Sequence, residues 1–379
     1  MHSRWSNYSS YLATKVIRMY GNWLKPLSPP ANPPRRQSFG SCLQSSPRHS
    51  SIGLIGMNGR VADEVREHLY DLAWDFGDLR VSDLGNLRKR SVEFVIPLLR
   101  ELHTSGITPI LIGGSHELFI SQYLAFNELN RRVSMLTIDN QIELSPQAQD
   151  RARVLDPAVH RKGPGAFHLT HLGSQQHLVD PQVRQIMDAC NYEVISLGTA
   201  QQALSELEPQ IRDADLFGIQ IRALQHYEAP ARFGLFPSGF TLHQSTQLAY
   251  YAGNSDKLNS FGIYGMLPDL EDKAAVGLTA ASYAQLIWYF ILGYTRRTGE
   301  FPISTDGMTT YVVDIDDTYR LSFFRSVDTD RWWCEIPSSQ FKGEGRHRLI
   351  ACSYQDYLSA SQDQKLPDRL LVALRRYAE

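Results

Sequence analysis

Short apolar runs alternate with amphipathic segments along most of this chain, and this alternation most constrains its fold. Ile52 to Gly56 is typical of a buried strand, and Val61, Val65, Leu69 and Leu72 follow it at helical spacing. Further runs that predict strands are Leu79 to Val81, Thr108 to Ile112, Val133 to Ile138, Tyr192 to Leu197, Leu216 to Ile221 and Phe261 to Met266. Strands and helices alternating over about 240 residues predict an α/β fold with one parallel sheet covered on both faces.

Length and charge narrow the class of protein. A chain of 379 residues has room for one large α/β core and a smaller appended unit. The formal charge of −2 provides no overall field that would attract nucleic acid or an anionic membrane. The four cysteines are scattered, with no C-x-x-C pair, which predicts free thiols in a reducing cytoplasm: Cys42, Cys190, Cys334 and Cys352.

No membrane span or secretory signal is predicted. A span needs about 20 apolar residues, and the longest apolar helix, around Tyr283 to Tyr294, is interrupted by Gln285. The N-terminus contains Lys15 and Arg18 but lacks an apolar h-region and a small-residue cleavage site. These features again predict a cytoplasmic protein.

Composition divides the chain into three predicted segments. Residues 1–50 are rich in proline, arginine and serine and predict an extended, solvated arm or linker. Residues 51–305 carry the α/β pattern, in which Asp83 to Asn86 is expected to form a turn. Residues 306–379 predict a C-terminal extension with a hairpin, a third strand and a closing helix, at Tyr311 to Ile315, Tyr319 to Phe324, Asp330 to Pro337 and from about Pro367.

Polar motifs close three of the predicted strands. They are Gly113-Gly114-Ser115-His116, Asp139-Asn140-Gln141-Ile142-Glu143 and Gln220-Ile221-Arg222. The carboxyl ends of strands in α/β sheets are where such folds build metal and substrate sites. Few anionic groups are present in these motifs, however, and Arg222 stands among them.

Taken together, these motifs resemble those of the ureohydrolase superfamily, which includes arginase, agmatinase and formiminoglutamase. The family motifs G-G-D-H, D-A-H-x-D, S-x-D-x-D and V-E-x-N-P fall at Gly113 to His116, Asp139 to Glu143, Gly218 to Arg222 and Tyr264 to Pro268. The resemblance covers roughly residues 52–300, and the tail is similar to that of a bacterial formiminoglutamase-like branch. It implies a three-layer αβα fold with an eight-stranded parallel sheet and a C-terminal β-hairpin and helix extension.

The resemblance also implies a chemistry. Active members hold two manganese ions with two histidines and four aspartates, and a bridging hydroxide attacks a guanidinium or formimino carbon, which cleaves a C–N bond of a linear amidine. A metal pair of this kind makes hydroxide available at neutral pH. In this chain, His116 matches the first histidine and Asp139 the bridging aspartate, while Glu143 stands where an aspartate is expected.

The remaining family positions carry other residues. Gln141 replaces the second histidine, and Gln220 and Arg222 replace the last two aspartates. Gly265 replaces the glutamate that meets the cationic group of the substrate in arginase-like members, and Ser115 replaces an aspartate behind the site. We therefore expect the catalytic residues to be lost and no cofactor to be bound.

Electrostatics supports this expectation. The predicted site has two carboxylates and one guanidinium. In active family members, by contrast, four carboxylates balance the charge of two dications. Two unit charges about 4 Å apart interact by about 4 kcal/mol at an effective dielectric constant of about 20, and an arginine cannot lose its proton. We expect Arg222 to fill the vacated space and pair with Asp139, Glu143 or both; the alternative is an outward-turned arginine and a water-filled pocket.

The sequence leaves three functions open. The first is a catalytically inactive pseudoenzyme with a binding, scaffolding or regulatory role. The second is a residual hydrolase that acts on a guanidino or formimino compound with one manganese, iron or zinc ion held by His116, Asp139 and Glu143. The third is a structural interaction protein with an occluded pocket. A protein partner or a homo-oligomer is possible for each, and the sequence does not identify one.

Two other groups of residues are assigned structural roles. Trp332 and Trp333, adjacent on a strand, are expected to point to opposite faces and to pack the tail onto the α/β body. The histidines around Lys162 to Gly165 are interpreted as part of a loop near the pocket, which could act as a lid: His160, His168, His171 and His177. No serine-hydrolase elbow and no dinucleotide fingerprint is present.

Overall fold

The structure is a computed structural model, and all elements below belong to the part of the chain that it describes. The described residues are 20–25, 27, 37–44, 46–147, 153–160, 166–300, 305–315, 319–336 and 348–378. The proline-rich stretch at residues 28–36 and the segment Lys162 to Gly165 lie outside them.

A nine-stranded sheet forms the centre of the molecule, in the order β1-β3-β2-β4-β9-β8-β5-β6-β7. Strands β2 to β9 all run parallel, and the short β1 adds an antiparallel edge to β3. The predicted eight-stranded parallel sheet is thus confirmed, with one strand more at its edge. The strands are β1 Leu24–Lys25, β2 Ile52–Gly56, β3 Val81–Leu87, β4 Thr108–Ile112, β5 Ser134–Ile138, β6 His168–Ser174, β7 Glu193–Ser196, β8 Leu216–Gln220 and β9 Ser260–Tyr264.

Helices cover both faces of this sheet, as the three-layer prediction requires. They are α1 Phe39–Cys42, α2 Gly59–Asp71, α3 Val92–Thr104, α4 Ile120–Glu128, α5 Asp156–Val159, α6 Pro181–Ala189, α7 Leu197–Gln202, α8 Glu208–Arg212, α9 Leu242–Gly253 and α10 Lys273–Tyr294. Because side chains alternate along a strand, Ile110 and Ile112 join one apolar cluster with α2, α9 and α10. Leu111 joins the other cluster with α3 and α4.

The predicted turn at Asp83 to Asn86 is wrong, because these residues lie within β3. Asp83 is buried, and both of its carboxylate oxygens accept hydrogen bonds from Arg66 of α2, at 2.7 and 2.9 Å. Aspartate is common in turns, and the sequence alone does not show that Arg66 pairs with Asp83 and allows it to be buried in a strand.

The helix predicted around Tyr283 to Tyr294 begins ten residues earlier and spans 22 residues as α10. This helix is long and apolar enough to cross a membrane, but 56% of its 18-residue apolar stretch is buried inside the molecule. It packs against α2 and α9 on one face of the sheet. Helix α10 is therefore a core helix, and no membrane span is indicated in the part of the chain that the structure describes.

The C-terminal extension forms a second, antiparallel sheet in the order β10-β11-β12-β13. Its strands are β10 Met308–Ile315, β11 Tyr319–Ser326, β12 Trp332–Glu335 and β13 Leu349–Cys352, and its helices are α11 Tyr354–Ser361 and α12 Asp368–Ala378. The hairpin, the third strand and the closing helix are confirmed, whereas β13 and α11 were not predicted. Trp332 and Trp333 lie in different apolar clusters, as expected for opposite faces of a strand.

The described parts of the predicted N-terminal arm are packed against the body. Tyr20, Leu24 and Phe39 are each at most 1% exposed, and β1 is paired with β3. The division into residues 1–50, 51–305 and 306–379 itself stays a prediction.

Candidate functional site

The three polar motifs meet at one edge of the sheet because β4, β5 and β8 end there. Strands β5 and β8 are neighbours, with Ile138 opposite Ile219. This pairing brings Asp139, which follows β5, beside Gln220 and the short 3-10 turn that contains Arg222.

Two glycines turn the chain sharply after β4. Gly113 and Gly114 have φ angles of +75° and +88°, which side-chain-bearing residues rarely adopt. A Cβ at Gly113 would also lie 2.5 Å from Val61 of α2. The turn allows His116 to begin a short 3-10 helix at the rim of the site.

Arg222 points into the site and binds both candidate carboxylates. Its Nε donates to Asp139 Oδ1 at 2.7 Å, and its Nη2 donates to Asp139 Oδ2 at 2.6 Å and to Glu143 Oε1 at 2.7 Å. The three side chains are only 13%, 5% and 14% exposed. The expectation that Arg222 pairs with Asp139, Glu143 or both is confirmed for both. We call Arg222, Asp139, Glu143 and Gln141 the Arg222 cluster.

The carboxylate of Glu143 is held in its charged form. Burial acts to raise its pKa, but the charge of Arg222 and hydrogen bonds from Arg222 and Gln141 lower this pKa below its usual value. Gln141 Nε2 donates to Glu143 Oε1 at 2.5 Å, and Arg153 Nη1 approaches Oε2 at 3.5 Å. The pKa of Arg222 is raised, since its hydrogen bonds to Asp139 and the charges of both carboxylates outweigh the effect of burial.

Little space remains inside the Arg222 cluster. The adjoining cavity measures about 10 Å³, which is close to the room that one water molecule needs. Its lining includes Asp139, Glu143, His171 and Gln220. The Gln220 Oε1 atom is buried without a hydrogen-bond partner among the described residues, so one bound water is a suitable occupant.

His116 faces a larger cavity that adjoins the Arg222 cluster. This cavity has a volume of about 370 Å³ and is lined by Val92, His116, Glu117, Ile120, Glu143, Arg153, Val154 and Pro157. It contains both acidic and basic side chains beside apolar ones. The candidate ligands His116 and Glu143 therefore both line this cavity, whereas Asp139 lines the smaller one.

Gly265, which the motif comparison aligns with a glutamate of arginase-like proteins, has no side chain to contribute to the site. Its amide donates to the Gly114 carbonyl at 2.9 Å, and its φ angle is +93°. An L-residue would be strained in this conformation. A glutamate could replace Gly265 only if the backbone also changed.

His171 belongs to the site and was not recognised in the sequence. The interpretation of His168 and His171 as loop residues is wrong, because both lie in β6, where His171 pairs with Thr137 of β5. His171 is fully buried; its Nε2 lies 3.0 Å from the Gln141 carbonyl and acts as donor. Burial lowers its pKa although the charge of Asp139 opposes this. The apolar Leu169 and Leu172 beside the histidines were the available signal of a buried strand.

The residues at this edge do not fit a binuclear manganese centre. Of the described side chains, no group of three or more histidines, cysteines, aspartates or glutamates is arranged to hold a metal ion. Both carboxylates of the Arg222 cluster are already bound to a guanidinium, 2.6 and 2.7 Å away. A dication about 4 Å from this guanidinium would be repelled by roughly 8 kcal/mol at an effective dielectric constant of about 20.

Solved structures show which fold this is. A formiminoglutamase from Trypanosoma cruzi, crystallised with Mn²⁺, matches 66% of this chain and 95% of its own, with a TM-score of 0.58 and 14% identity. An agmatine ureohydrolase of Thermoplasma volcanium matches 69% and 95%, with a TM-score of 0.56 and 17% identity. A formimidoylglutamase from Bacillus subtilis matches 65% and 87%, with a TM-score of 0.57 and 13% identity.

No protein-family model matches the sequence, and no curated protein matches it either. The similarity to the solved structures, at these identities, concerns the fold. This chain has the ureohydrolase fold that its motifs predict, with an additional antiparallel sheet at the C-terminus.

Proposed function

We propose that this protein is a catalytically inactive member of the ureohydrolase superfamily whose metal site is filled by its own arginine. The observation that carries the proposal is the Arg222 cluster, in which one guanidinium binds Asp139 and Glu143 at once. In this proposal, the guanidinium of Arg222 occupies the place that metal ions take in active members of the superfamily. The ligand positions Gln141 and Gln220 and the substrate position Gly265 are then vestiges of the ancestral site.

The chemistry of the residues supports this proposal. A bidentate guanidinium satisfies two buried carboxylates with short, charge-assisted hydrogen bonds. Breaking such a pair to admit a metal would leave a buried, permanently charged arginine without partners, which is strongly unfavourable. Residual hydrolysis with one metal at His116, Asp139 and Glu143 would require Arg222 to leave the site first.

The proposed role is ligand binding or regulation at the 370 Å³ cavity beside the cluster. Its volume lies in the range of small-molecule sites. Glu117, Glu143 and Arg153 offer charges of both signs, and Val92, Ile120 and Val154 offer apolar contact. We propose that a small polar molecule binds there without being turned over. The four cysteines, all of which the structure describes, form no disulfide, which supports a cytoplasmic location.

The proposal is tested by metal content and turnover. Purified protein is dialysed with manganese, iron or zinc and analysed by mass spectrometry, and urea or ammonia release is assayed with arginine, agmatine and formiminoglutamate. We expect less than one metal ion per chain and no turnover, while a manganese-loaded agmatinase treated in parallel serves as positive control. Two bound ions per chain together with turnover would contradict the proposal, and one ion with turnover would establish the residual hydrolase instead.

A further inference from the structure

A second cavity, separate from the Arg222 cluster, lies at the carboxyl ends of β2 and β3. Its volume is about 500 Å³. Lys25 of β1, Asn58 and Arg60 at the start of α2, and Arg88 and Arg90 after β3 contribute to its wall. Strand β3 lies beside β2 in the sheet, so the residues that follow the two strands meet at this cavity.

The wall of this cavity is positively charged. Four basic side chains and two acidic ones, Asp63 and Asp269, give it a formal charge of +2. Both acidic groups are already engaged: Asp269 pairs with Arg60, and Asp63 accepts from the buried Arg66 at 2.9 Å. The charges left uncompensated in the wall are therefore those of Lys25, Arg88 and Arg90.

Two of these basic residues are available to a ligand. Lys25 and Arg90 are exposed and form no ion pair with any residue that the structure describes. Arg88 is partly engaged, since its Nε donates to the Gly21 carbonyl at 2.7 Å. Like charges gathered around one concave surface are unfavourable by themselves, and an anion removes that cost.

Backbone amides at the start of helix α2 add hydrogen-bond donors to the wall of this cavity. Helix α2 has 13 residues, and its first turn lines the cavity at Gly59 and Arg60. Asn58 caps the Arg60 amide at 3.2 Å, whereas the Gly59 amide has no acceptor among the described residues. The start of a helix that faces a basic cavity favours phosphate over other occupants, because amide donors and the helix dipole act together with the side chains.

We propose that this cavity binds the phosphate or diphosphate group of a small phosphorylated molecule, held by Lys25, Arg88, Arg90 and the first turn of α2. The site goes beyond the function proposed above and does not depend on it.

The test uses the full-length protein and inorganic pyrophosphate, titrated by calorimetry at an ionic strength of about 0.15 M to screen weak surface attraction. We expect one saturable site per chain. Arg90→Gln and Lys25→Gln should each weaken binding about tenfold or more, since each removes a charge-assisted contact.

Lys89→Gln is the matched control, because it removes the same charge from the same loop but is not part of the cavity wall. We expect this variant to bind as the wild type does. All three side chains are exposed, so the melting temperatures should stay unchanged and show that each variant folds. Absence of saturable binding, or an equal loss in Lys89→Gln, would overturn the proposal. Neither outcome bears on the metal-content test.

Discussion

Arg222 and Asp139 share two parallel hydrogen bonds, at 2.7 and 2.6 Å, although 83 residues separate them in the chain. The same guanidinium reaches Glu143, so a single side chain ties the end of β8 to the segment after β5. From these contacts we predict how changes at Arg222 and Glu143 affect the stability of the protein, its sensitivity to acid and its binding of cations.

Removing the guanidinium should destabilise the protein strongly. Arg222→Ala leaves two buried carboxylates without a partner, and we expect a loss of about 3–5 kcal/mol in the free energy of unfolding, measured by urea denaturation. Arg184→Ala is the control, since Arg184 forms an exposed pair with Asp188 and exposed pairs contribute about 0.5 kcal/mol. Equal stability of Arg222→Ala and the wild type would show that the cluster does not exist in solution.

Glu143 should contribute to acid sensitivity. Its pKa is lowered in the folded protein, so its stabilising effect is fully present above the unfolded value of about 4.3 and is lost as the pH falls through the folded value. Glu143→Gln should therefore be less stable than the wild type at neutral pH, and the difference should shrink in acid. Urea midpoints from pH 7 downward measure this. Glu128→Gln serves as the control, since Glu128 forms an exposed pair with Arg100, and its stability should not converge with that of the wild type in acid. If the urea midpoints of Glu143→Gln and the wild type stayed equally far apart at every pH, the stabilising role of the Glu143 carboxylate would be contradicted.

A free guanidinium ion should replace the missing side chain. In Arg222→Ala, the space between Asp139 and Glu143 is open and negatively charged, and millimolar methylguanidinium should raise its melting temperature by binding only the folded state. The wild type should not respond, because its site is filled. Tetramethylammonium at equal concentration controls for ionic strength, since it cannot donate hydrogen bonds. The same shift in both proteins would indicate a non-specific effect.

The C-terminal extension should depend on Arg212 for its docking. Arg212 is 3% exposed, pairs with Glu208 at 2.8 Å and lies 4.4 Å from the centre of the Trp333 ring. Its Nη2 also donates to the carbonyls of Trp332 and Cys352, at 3.1 and 3.3 Å. Arg212→Ala should cost about 3 kcal/mol or more and change the tryptophan fluorescence in the native state.

Arg325→Ala serves as the comparison for Arg212→Ala. Arg325 also approaches a tryptophan of the extension, with its guanidinium 6.0 Å from the Trp332 ring, but its pair with Asp330 is exposed. We expect this variant to unfold at the urea concentration of the wild type. If the two arginine variants behaved alike, the buried docking contact would have no special role.

The sequence predicted most elements of the fold because short-range periodicity determines them. Strands such as Thr108–Ile112 and Leu216–Gln220 are buried on both faces, and their only polar residues stand at their ends. Prediction was wrong where long-range partners satisfied polar groups, as Arg66 does for Asp83 within β3. It was also wrong for His171, whose burial depends on the neighbouring β5 and on the Gln141 carbonyl.

By itself, the sequence determined the inventory of the site: two carboxylates, one guanidinium and two glutamines following particular strands of an α/β sheet. It left open whether Arg222 turns inward or outward. The tertiary structure decided this, because the side-chain direction depends on carboxylates 79 and 83 residues away that meet only when β5 and β8 pair. Periodicity is a local property of the chain, whereas the balance between burying and hydrating a charge depends on partners that the folded sheet brings together.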